Sequence, residues 1–287
     1  MPYNILVPTD SSETAGKAFG YALNIASRSK ATIYLYHVYS PVESPFIETV
    51  EIRRDYNMTN EELLMAELHR LRATWKAAYP DVNIVTVLGR SPLVNSMMQF
   101  VKDKEIDLIV MGTQGATGIR KVVVGSIAGR ILDRTSVPLL LVPERFEWRQ
   151  PEKLVLATNY NEEDIIAMKL SGWLASLFDA SIEVVHLPDV NGDSQETEKS
   201  FRRYVDELTV QAPGVSLKSN ILSTYSVFDT LETLHEQIPY DVLVMVKHKK
   251  KFLNRLFMES CTKHMAYLTW HPLLVIPANE VVDATAQ

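Results

Sequence analysis

Short runs of Val, Ile and Leu recur along the 287-residue chain and alternate with longer stretches of helical periodicity. Continuous apolar runs are typical of strands buried on both faces of a sheet. In the first half they predict strands near 4–8, 31–38, 83–88, 106–111 and 138–142, with helices near 13–29, 60–78, 92–103 and 125–134 between them. Strands that alternate with helices favour an open parallel sheet covered by helices on both faces.

Local signals refine these elements. Residues 9–12 supply cap-type side chains before the first helix, with Glu13 in its first turn. Ser91-Pro92 predicts the start of the third helix, with proline at the first helical position. The segment 40–59 shows no strong period and predicts a loop or mobile flap, and 144–152 predicts a polar linker. We expect the tail from residue 279 to fray.

The pattern repeats once along the chain. Leu154–Asn159 resembles Ile5–Asp10, and the offset of 149 positions also aligns His186 with His37. Farther on, residues 241–245 match 107–111 and residues 270–277 match 136–143 at an offset of 134. The second copy is therefore about 15 residues shorter, and the loss falls between its second and fourth strands.

This repeat predicts an α/β chain of two doubly wound domains in tandem, each with a five-stranded parallel sheet, at 1–145 and 151–280. The closing strands, 139–142 and 273–276, are short and apolar. Each would leave an unpaired sheet edge that invites another strand. We therefore expect the two halves to pair through them as a pseudo-two-fold pair, an intramolecular counterpart of a dimer, with higher oligomers left open.

Charge and cysteine content narrow the function. The net charge of -6 and the pI near 5.7 argue against a general nucleic-acid binder, which needs a basic surface. The single cysteine, Cys261, cannot form an internal disulfide and predicts a reducing compartment. The N-terminus lacks a signal-peptide pattern, and the sequence contains no run of about 18 apolar residues. These features predict a cytoplasmic protein without a membrane partner.

A glycine-rich segment follows the fourth strand. Gly112 and Gly115 precede Gly125-Ser126, which opens the next helix. Ligands bind at the carboxyl ends of strands in open parallel sheets, where glycines let the backbone approach phosphates and helix N-termini favour anions. The segment is neither a Walker loop, since no Gly-Lys-Ser/Thr follows, nor a dinucleotide fingerprint, which would follow the first strand. A tight turn with a helix cap is the alternative.

The spacing Gly112-x2-Gly115-x9-Gly125-Ser126 resembles the signature of ATP-binding universal stress proteins (the UspA family). Pro8-Thr9-Asp10 after the first strand and Ser136-Val137-Pro138 before the closing strand also resemble that family. The two-copy layout is similar to its tandem branch. The resemblance implies flavodoxin-like, Rossmann-like domains.

The resemblance also implies a site for ATP, with ADP or AMP as alternatives and with Mg²⁺. Its residues would be Pro8, Thr9, Asp10, Val38, Met111, Gly112, Gly115, Gly125, Ser126 and Ile127. Asp10 and the backbone of Pro8 and Thr9 would contact adenine and ribose. Val38 would line the adenine pocket through its backbone. Met111, Gly112 and Gly115 would form the floor and the ribose-phosphate wall, and the last three would hold the phosphates. Arg120 and Lys121 either screen phosphate charge or are solvated loop residues.

The second copy departs from this pattern. Val246, Lys249 and Glu259 replace the three glycines, Asn159 replaces Asp10, and Ser260 alone is kept. Side chains with a Cβ hinder an open phosphate loop, and Glu259 would place a carboxylate where a phosphate should lie. The sequence therefore predicts one nucleotide site, in the first half. The basic run 247–251 has three interpretations: a solvated loop, a site for an anionic partner, or a salt-bridged plug around Glu259.

Three functions remain open: a nucleotide-binding stress-response module with an unknown protein partner, a nucleotide-independent scaffold, and a weak ATP hydrolase or nucleotidyl-transfer enzyme. We predict no catalytic residues, since efficient phosphoryl transfer needs more than the single carboxylate of Asp10. We also predict no metal site, because Cys261, His248, His264 and His271 lack paired ligand spacing. The matching positions of His37 and His186 favour a structural or cleft-edge role.

Overall fold

The computed structural model describes residues 3–43, 49–113, 126–160, 164–188, 194–247, 262, 265 and 270–278. Within these ranges the strands are β1 (Asn4–Pro8), β2 (Thr32–Tyr39), β3 (Ile84–Arg90), β4 (Leu108–Gly112), β5 (Leu139–Val142), β6 (Lys153–Thr158), β7 (Ser181–His186), β8 (Leu217–Ile221), β9 (Val242–Lys247) and β10 (Leu273–Pro277). The helices are α1 (Glu13–Ser29), α2 (Val50–Ala78), α3 (Leu93–Asp103), α4 (Ser126–Arg134), α5 (Asp164–Phe178), α6 (Ser194–Thr209), α7 (Val227–Glu232) and α8 (Leu234–Gln237).

All these strands lie in one sheet, in the order β3-β2-β1-β4-β5-β10-β9-β6-β7-β8. Neighbouring strands are parallel within each half. The two closing strands meet antiparallel, with Leu141 opposite Leu273 and Leu139 opposite Val275. The predicted tandem of doubly wound five-stranded halves, paired through their closing strands, is therefore confirmed.

The strands alternate their side chains between two apolar layers. Ile5 and Val7 face the layer that contains residues of α1, α2, α5 and α6. Leu6 faces the opposite layer, which contains residues of α3, α4, α7 and α8. Because α1 and α5 also contact each other, the first layer runs continuously across both halves.

The linker between the halves is less polar than predicted. Phe146 is buried, and Trp148 packs edge-on against Tyr21, with ring centroids 4.9 Å apart. On its other side Trp148 lies 6.0 Å from the ring of Phe178 at the end of α5. The linker thus joins the halves through aromatic contacts, because its two aromatic residues sit where α1 and α5 approach each other.

Helix starts follow local capping. The Ser12 side chain accepts a hydrogen bond from the Ala15 N–H (3.2 Å), and α1 spans the predicted 13–29. Pro92, however, is the N-cap of α3 and not its first helical residue. Its carbonyl accepts from the Ser96 N–H (3.0 Å), so the helical bonds begin one residue later than predicted.

Helix α2 is longer than its sequence pattern predicts. It begins at Val50, so the prediction of a loop over 40–59 is wrong for 50–59; residues 44–48 lie outside the described part. Its first turns are held by polar contacts: the Asn57 side chain bonds both backbone groups of Val42 (2.9 and 3.2 Å), and Glu61 pairs with Arg90 (2.8 Å). The apolar residues here are exposed, so they form no stripe that sequence analysis could detect: Val50, Ile52, Tyr56 and Met58.

The missing residues of the second copy lie mainly in its second helix. Helix α6 has 16 residues where α2 has 29. Strand β5 ends at Val142 and β6 begins at Lys153; the domain limits 1–145 and 151–280 stay a prediction.

No helix among the described residues is long and apolar enough to cross a membrane.

Candidate functional site

The first half reverses its strand order between β1 and β4. From β1 the chain moves outward through β2 to β3, and it returns to pair β4 with the free side of β1. Ile5 and Leu6 lie opposite Leu108 and Ile109, so both strands end at the same sheet edge. Crevices at such reversal points bind ligands in open α/β sheets. The predicted segments 8–10 and 111–112 lie at this point.

The turn between β1 and α1 is fixed by hydrogen bonds. The Thr9 N–H donates to the Tyr36 carbonyl (2.9 Å), and the Ser11 N–H donates to the Thr9 hydroxyl (3.1 Å). Ser11 takes a left-handed conformation, with φ +61°. The Asp10 carboxylate accepts from the Ser12 N–H (3.1 Å), which holds this exposed side chain at the start of α1.

The end of β2 borders the same turn. His37 Nδ1 lies 2.8 Å from the Thr9 carbonyl oxygen and donates to it, since a carbonyl oxygen accepts only. Val38, the next residue, packs against the layer of α3 and α4. The His37 contact fits the predicted structural or cleft-edge role, and Val38 lies on the opposite side of the strand.

Gly112 is required by a close contact. A Cβ on Gly112 would lie 2.6 Å from Thr14 Cγ2 and 3.2 Å from the Thr14 backbone carbon. The end of β4 therefore touches the first turn of α1 directly. Met111 beside it is buried. The Thr113 N–H donates to the Val142 carbonyl (3.0 Å), which extends the β4–β5 ladder past Gly112.

The rest of the predicted site is described only in part. Helix α4 begins at Ser126, and Ile127 in its first turn is exposed. Gly115, Arg120, Lys121 and Gly125 lie outside the described residues. The structure therefore brings together the predicted site residues at the ends of β1, β2 and β4. Helix α4 begins after the glycine-rich segment that follows β4.

The second half repeats this turn geometry residue by residue. Tyr160, 149 positions after Ser11, has φ +58° and donates its N–H to the Thr158 hydroxyl (3.0 Å). His186 Nδ1 donates to the Thr158 carbonyl (2.9 Å), as His37 does to Thr9. These matched contacts establish the offset of 149 as a structural equivalence.

The side chains around this turn differ from those around the β1–α1 turn of the first half. The Tyr160 ring stacks on His186, with centroids 4.1 Å apart. Asp164, which is almost fully buried, accepts from the Tyr204 hydroxyl (2.7 Å) and from the Thr158 hydroxyl. Burial and the Asp164 carboxylate raise the pKa of Tyr204, and burial lowers the pKa of His186 against the opposing hydrogen bond to Thr158. This network was not predicted from the sequence, although Tyr160 and Asp164 stand where the first half has Ser11 and Ala15.

Lys247 links the two halves. It is the first residue of the basic run, and its Nζ donates to the Leu132 carbonyl near the end of α4 (2.5 Å). The same nitrogen lies 4.0 Å from the Asp133 carboxylate. Lys247 is therefore not a solvated loop residue, while residues 248–261 with Lys249, Glu259 and Ser260 lie outside the described part.

Within the described ranges, no group of three or more His, Cys, Asp or Glu side chains could hold a metal ion. His248, Cys261 and His264 lie outside these residues. His271 packs against the rings of Tyr240 and His235, at centroid distances of 5.0 and 5.9 Å. Burial and the nearby Arg149 and His235 lower its pKa.

Comparison with known proteins shows a sequence family for the first half and a shared fold across both halves. The sequence profile of the universal stress protein family matches residues 1–143. A universal stress protein of Methanocaldococcus jannaschii is 32% identical over 139 residues, which cover 48% of this chain and 80% of the relative. One of Bacillus subtilis is 26% identical over 151 residues, covering 48% and 97%. A universal stress protein of Archaeoglobus fulgidus has the same fold over 97% of this chain and 100% of its own, with a TM-score of 0.74 and 16% identity.

Proposed function

Because the chain belongs to the universal stress protein family, we propose that it is a nucleotide-binding stress-response module with one adenine-nucleotide site, in its first half. The observation that carries the proposal is the placement of Pro8–Asp10 and Met111–Gly112 at adjacent strand ends, where the strand order reverses. Sites at such points bind nucleotides through backbone and helix N-terminal groups. The segment that leaves Gly112 leads to the start of α4 at Ser126.

The residues present fit a nucleotide. The exposed Asp10 carboxylate, oriented by the Ser12 N–H, would accept hydrogen bonds from ribose hydroxyls. The backbones of Pro8, Thr9 and Val38 would border the adenine. The first N–H groups of α4 and its dipole would hold the phosphates, with Gly115 and Gly125 allowing a close approach. We propose ATP, with ADP or AMP as alternatives, and Mg²⁺ to neutralise phosphate charge.

We propose a single site because the two halves differ at the predicted site residues. Val246 stands at the position of Gly112, and Asn159 stands at the position of Asp10. Lys247, at the position of Thr113, is engaged by the Leu132 carbonyl. Lys247 of the second half is therefore held by a backbone group of the first half.

We propose binding and signalling as the activity, with at most slow ATP hydrolysis. Efficient phosphoryl transfer needs a positioned base and a set of metal ligands, and the predicted site offers the one carboxylate of Asp10. A nucleotidyl-transfer enzyme would rest on fold analogy alone. The internally filled second half favours a scaffold role for that part of the chain, where an unknown protein partner could bind. The single cysteine supports our expectation of a cytoplasmic protein.

Calorimetric titration with ATP, ADP and AMP, with and without Mg²⁺, tests the proposal. We expect a stoichiometry near one, and mass spectrometry of small molecules released from the purified protein should identify the same nucleotide. Asp10→Asn, which copies the second half, should weaken binding, whereas Asn159→Asp in the second half should leave affinity unchanged. Gly125→Glu should abolish binding without unfolding. Two equivalent sites, or wild-type affinity in Asp10→Asn and Gly125→Glu, would refute the assignment.

A further inference from the structure

A groove lies beside the β1–α1 turn, on the face of the sheet covered by α1 and α2. Its cavity volume is about 260 Å³. Phe19 and Leu71 contribute large apolar side chains to its lining, and its polar lining includes Ser11, Glu67 and Arg70. The Ser11 hydroxyl donates to the Glu67 carboxylate (2.8 Å). The groove lies on the other face of the strands from Val38. Thr9, whose backbone would border the adenine, also lines it, so the groove adjoins the proposed nucleotide site.

Small residues on the first half create the groove. Ser11, Ala15 and Gly16 line it, and a Cβ added at Gly16 would meet no atom within 4 Å. The residues 149 positions later are Tyr160, Asp164 and Ile165. Each is larger, and the matched turn geometry shows that they occupy equivalent places. The first half thus has open space where the second half has side chains.

The second half carries a phenol ring at the matching turn position. The Tyr160 phenol ring packs against Phe201 and Tyr204 of α6, with centroids 5.6 and 5.2 Å away. In the first half, α2 runs where α6 runs in the second half. Phe19 supplies an aromatic wall there, and it packs edge-on against Trp75 at 5.7 Å. Aromatic rings favour such tilted and edge-on neighbours.

We propose that this groove binds a small single-ring aromatic compound that carries a hydroxyl group, a ligand of the phenol class. A cavity of about 150 Å³ is enough for benzene, so the groove has room for a substituted ring. The ring lies in the groove beside Ser11, the position at which the second half carries Tyr160. Its hydroxyl donates to Glu67, since a carboxylate that already accepts from Ser11 has further lone pairs available.

The test uses p-cresol, the side chain of tyrosine as a free molecule, and the full chain. Ligand-observed NMR titration should show saturable binding to the wild type, and toluene, which lacks the hydroxyl, should bind more weakly. Gly16→Ile copies Ile165 and fills the groove from α1. It should weaken p-cresol binding about tenfold or more, because the ring loses its buried apolar contact.

Folding of this variant is checked by its melting temperature, which should not fall. Isoleucine has a higher helix propensity than glycine, and its side chain enters open space. Ser27→Ile places the same side chain on an exposed position of α1 and serves as the matched control that keeps p-cresol binding. Both variants should keep wild-type ATP affinity.

Ser11→Tyr provides a second, independent block, because Tyr160 already adopts the left-handed backbone of this position. It should also remove p-cresol binding. The proposal is overturned if the wild type shows no saturable p-cresol binding, if toluene binds equally well, or if both groove-filling variants fold and keep the wild-type affinity for p-cresol.

Discussion

Replacing Gly112 by alanine tests whether the close contact between the end of β4 and the first turn of α1 shapes the proposed nucleotide site. The new methyl group would lie 2.6 Å from Thr14 Cγ2 and 3.2 Å from the Thr14 backbone carbon. The methyl of Thr14 can rotate only within a buried site, since Thr14 is 6% exposed, and the backbone carbon cannot rotate away. The first turn of α1 must therefore move relative to the end of β4.

The magnitude follows from two opposing effects. Overpacking of a well-packed site costs about 1–3 kcal/mol. A glycine-to-alanine change otherwise stabilises by about 0.4–1 kcal/mol, because it restricts the unfolded chain. We expect a net loss of about 1–2 kcal/mol in the free energy of unfolding. ATP affinity should fall as well, since the moving turn carries Asp10, whose carboxylate is held by the Ser12 N–H.

Urea denaturation measures the stability, and calorimetric titration measures ATP affinity. Gly16→Ala is the matched control, because its methyl group meets no atom within 4 Å; it should stabilise the protein by about 0.5–1 kcal/mol through helix propensity. In a Thr14→Ala background, which removes the atom at 2.6 Å, the cost of Gly112→Ala should shrink. Wild-type stability and ATP affinity in Gly112→Ala would show that the close approach does not constrain the site.

Three further predictions concern the joining of the halves and the filled second half. The fragment 1–146 should dimerise in light scattering, because without β10 the edge of β5 loses its partner strand; a well-folded fragment that stays monomeric at high concentration would contradict this. Lys247→Met should cost about 1–2 kcal/mol in urea denaturation, since the Leu132 carbonyl loses a charged donor; the exposed Lys102→Met should cost little, and equal effects would exclude a specific role for Lys247. Burial lowers the pKa of His186, so the folded chain favours its neutral form. The contribution of neutral His186 to the free energy of unfolding should be fully present above about pH 6.5, the pKa of an unfolded histidine. It should be lost as the pH falls through the lower pKa that His186 has in the folded chain. Melting temperatures across this range should decline less in His186→Gln than in the wild type, with the exposed His69→Gln as control, and parallel curves would refute the assignment.

Elements with buried apolar periodicity could be predicted from the sequence. The limits of α1 follow from Ser12 as N-cap and from its buried face. The pairing of β5 with β10 follows from two short apolar runs that would otherwise leave open edges. The first turns of α2 could not be predicted, because their apolar residues point to solvent. The contacts that hold them come from Val42 and Arg90, one before the helix and one after it.

For the second half, the sequence predicted the loss of the three glycines but not the network of Tyr160, Asp164 and Tyr204. Its tertiary contacts were not foreseen, since Tyr204 comes from α6, 40 residues beyond Asp164. A buried carboxylate that accepts two hydroxyl donors depends on how α5 and α6 approach each other, and no local pattern encodes that distance. The available signal was the replacement of Ser11 and Ala15 by Tyr160 and Asp164 in the repeat.

The antiparallel meeting of β5 and β10 separates the proposed nucleotide site from the matching position in the second half. It makes the strands of the two halves run in opposite directions, so β4 and β9 end at opposite edges of the sheet. Substitutions around Tyr160 therefore act far from Asp10 and Gly112. Helix α4 is the element that both edges share: it begins at Ser126, after the glycine segment of the first half, and near its end the Leu132 carbonyl binds Lys247 of the second. The dipole of α4 would stabilise both a phosphate at its first turn and the Lys247 ammonium at its last turn. Through Lys247, the second half therefore supports the helix that carries the proposed phosphate site.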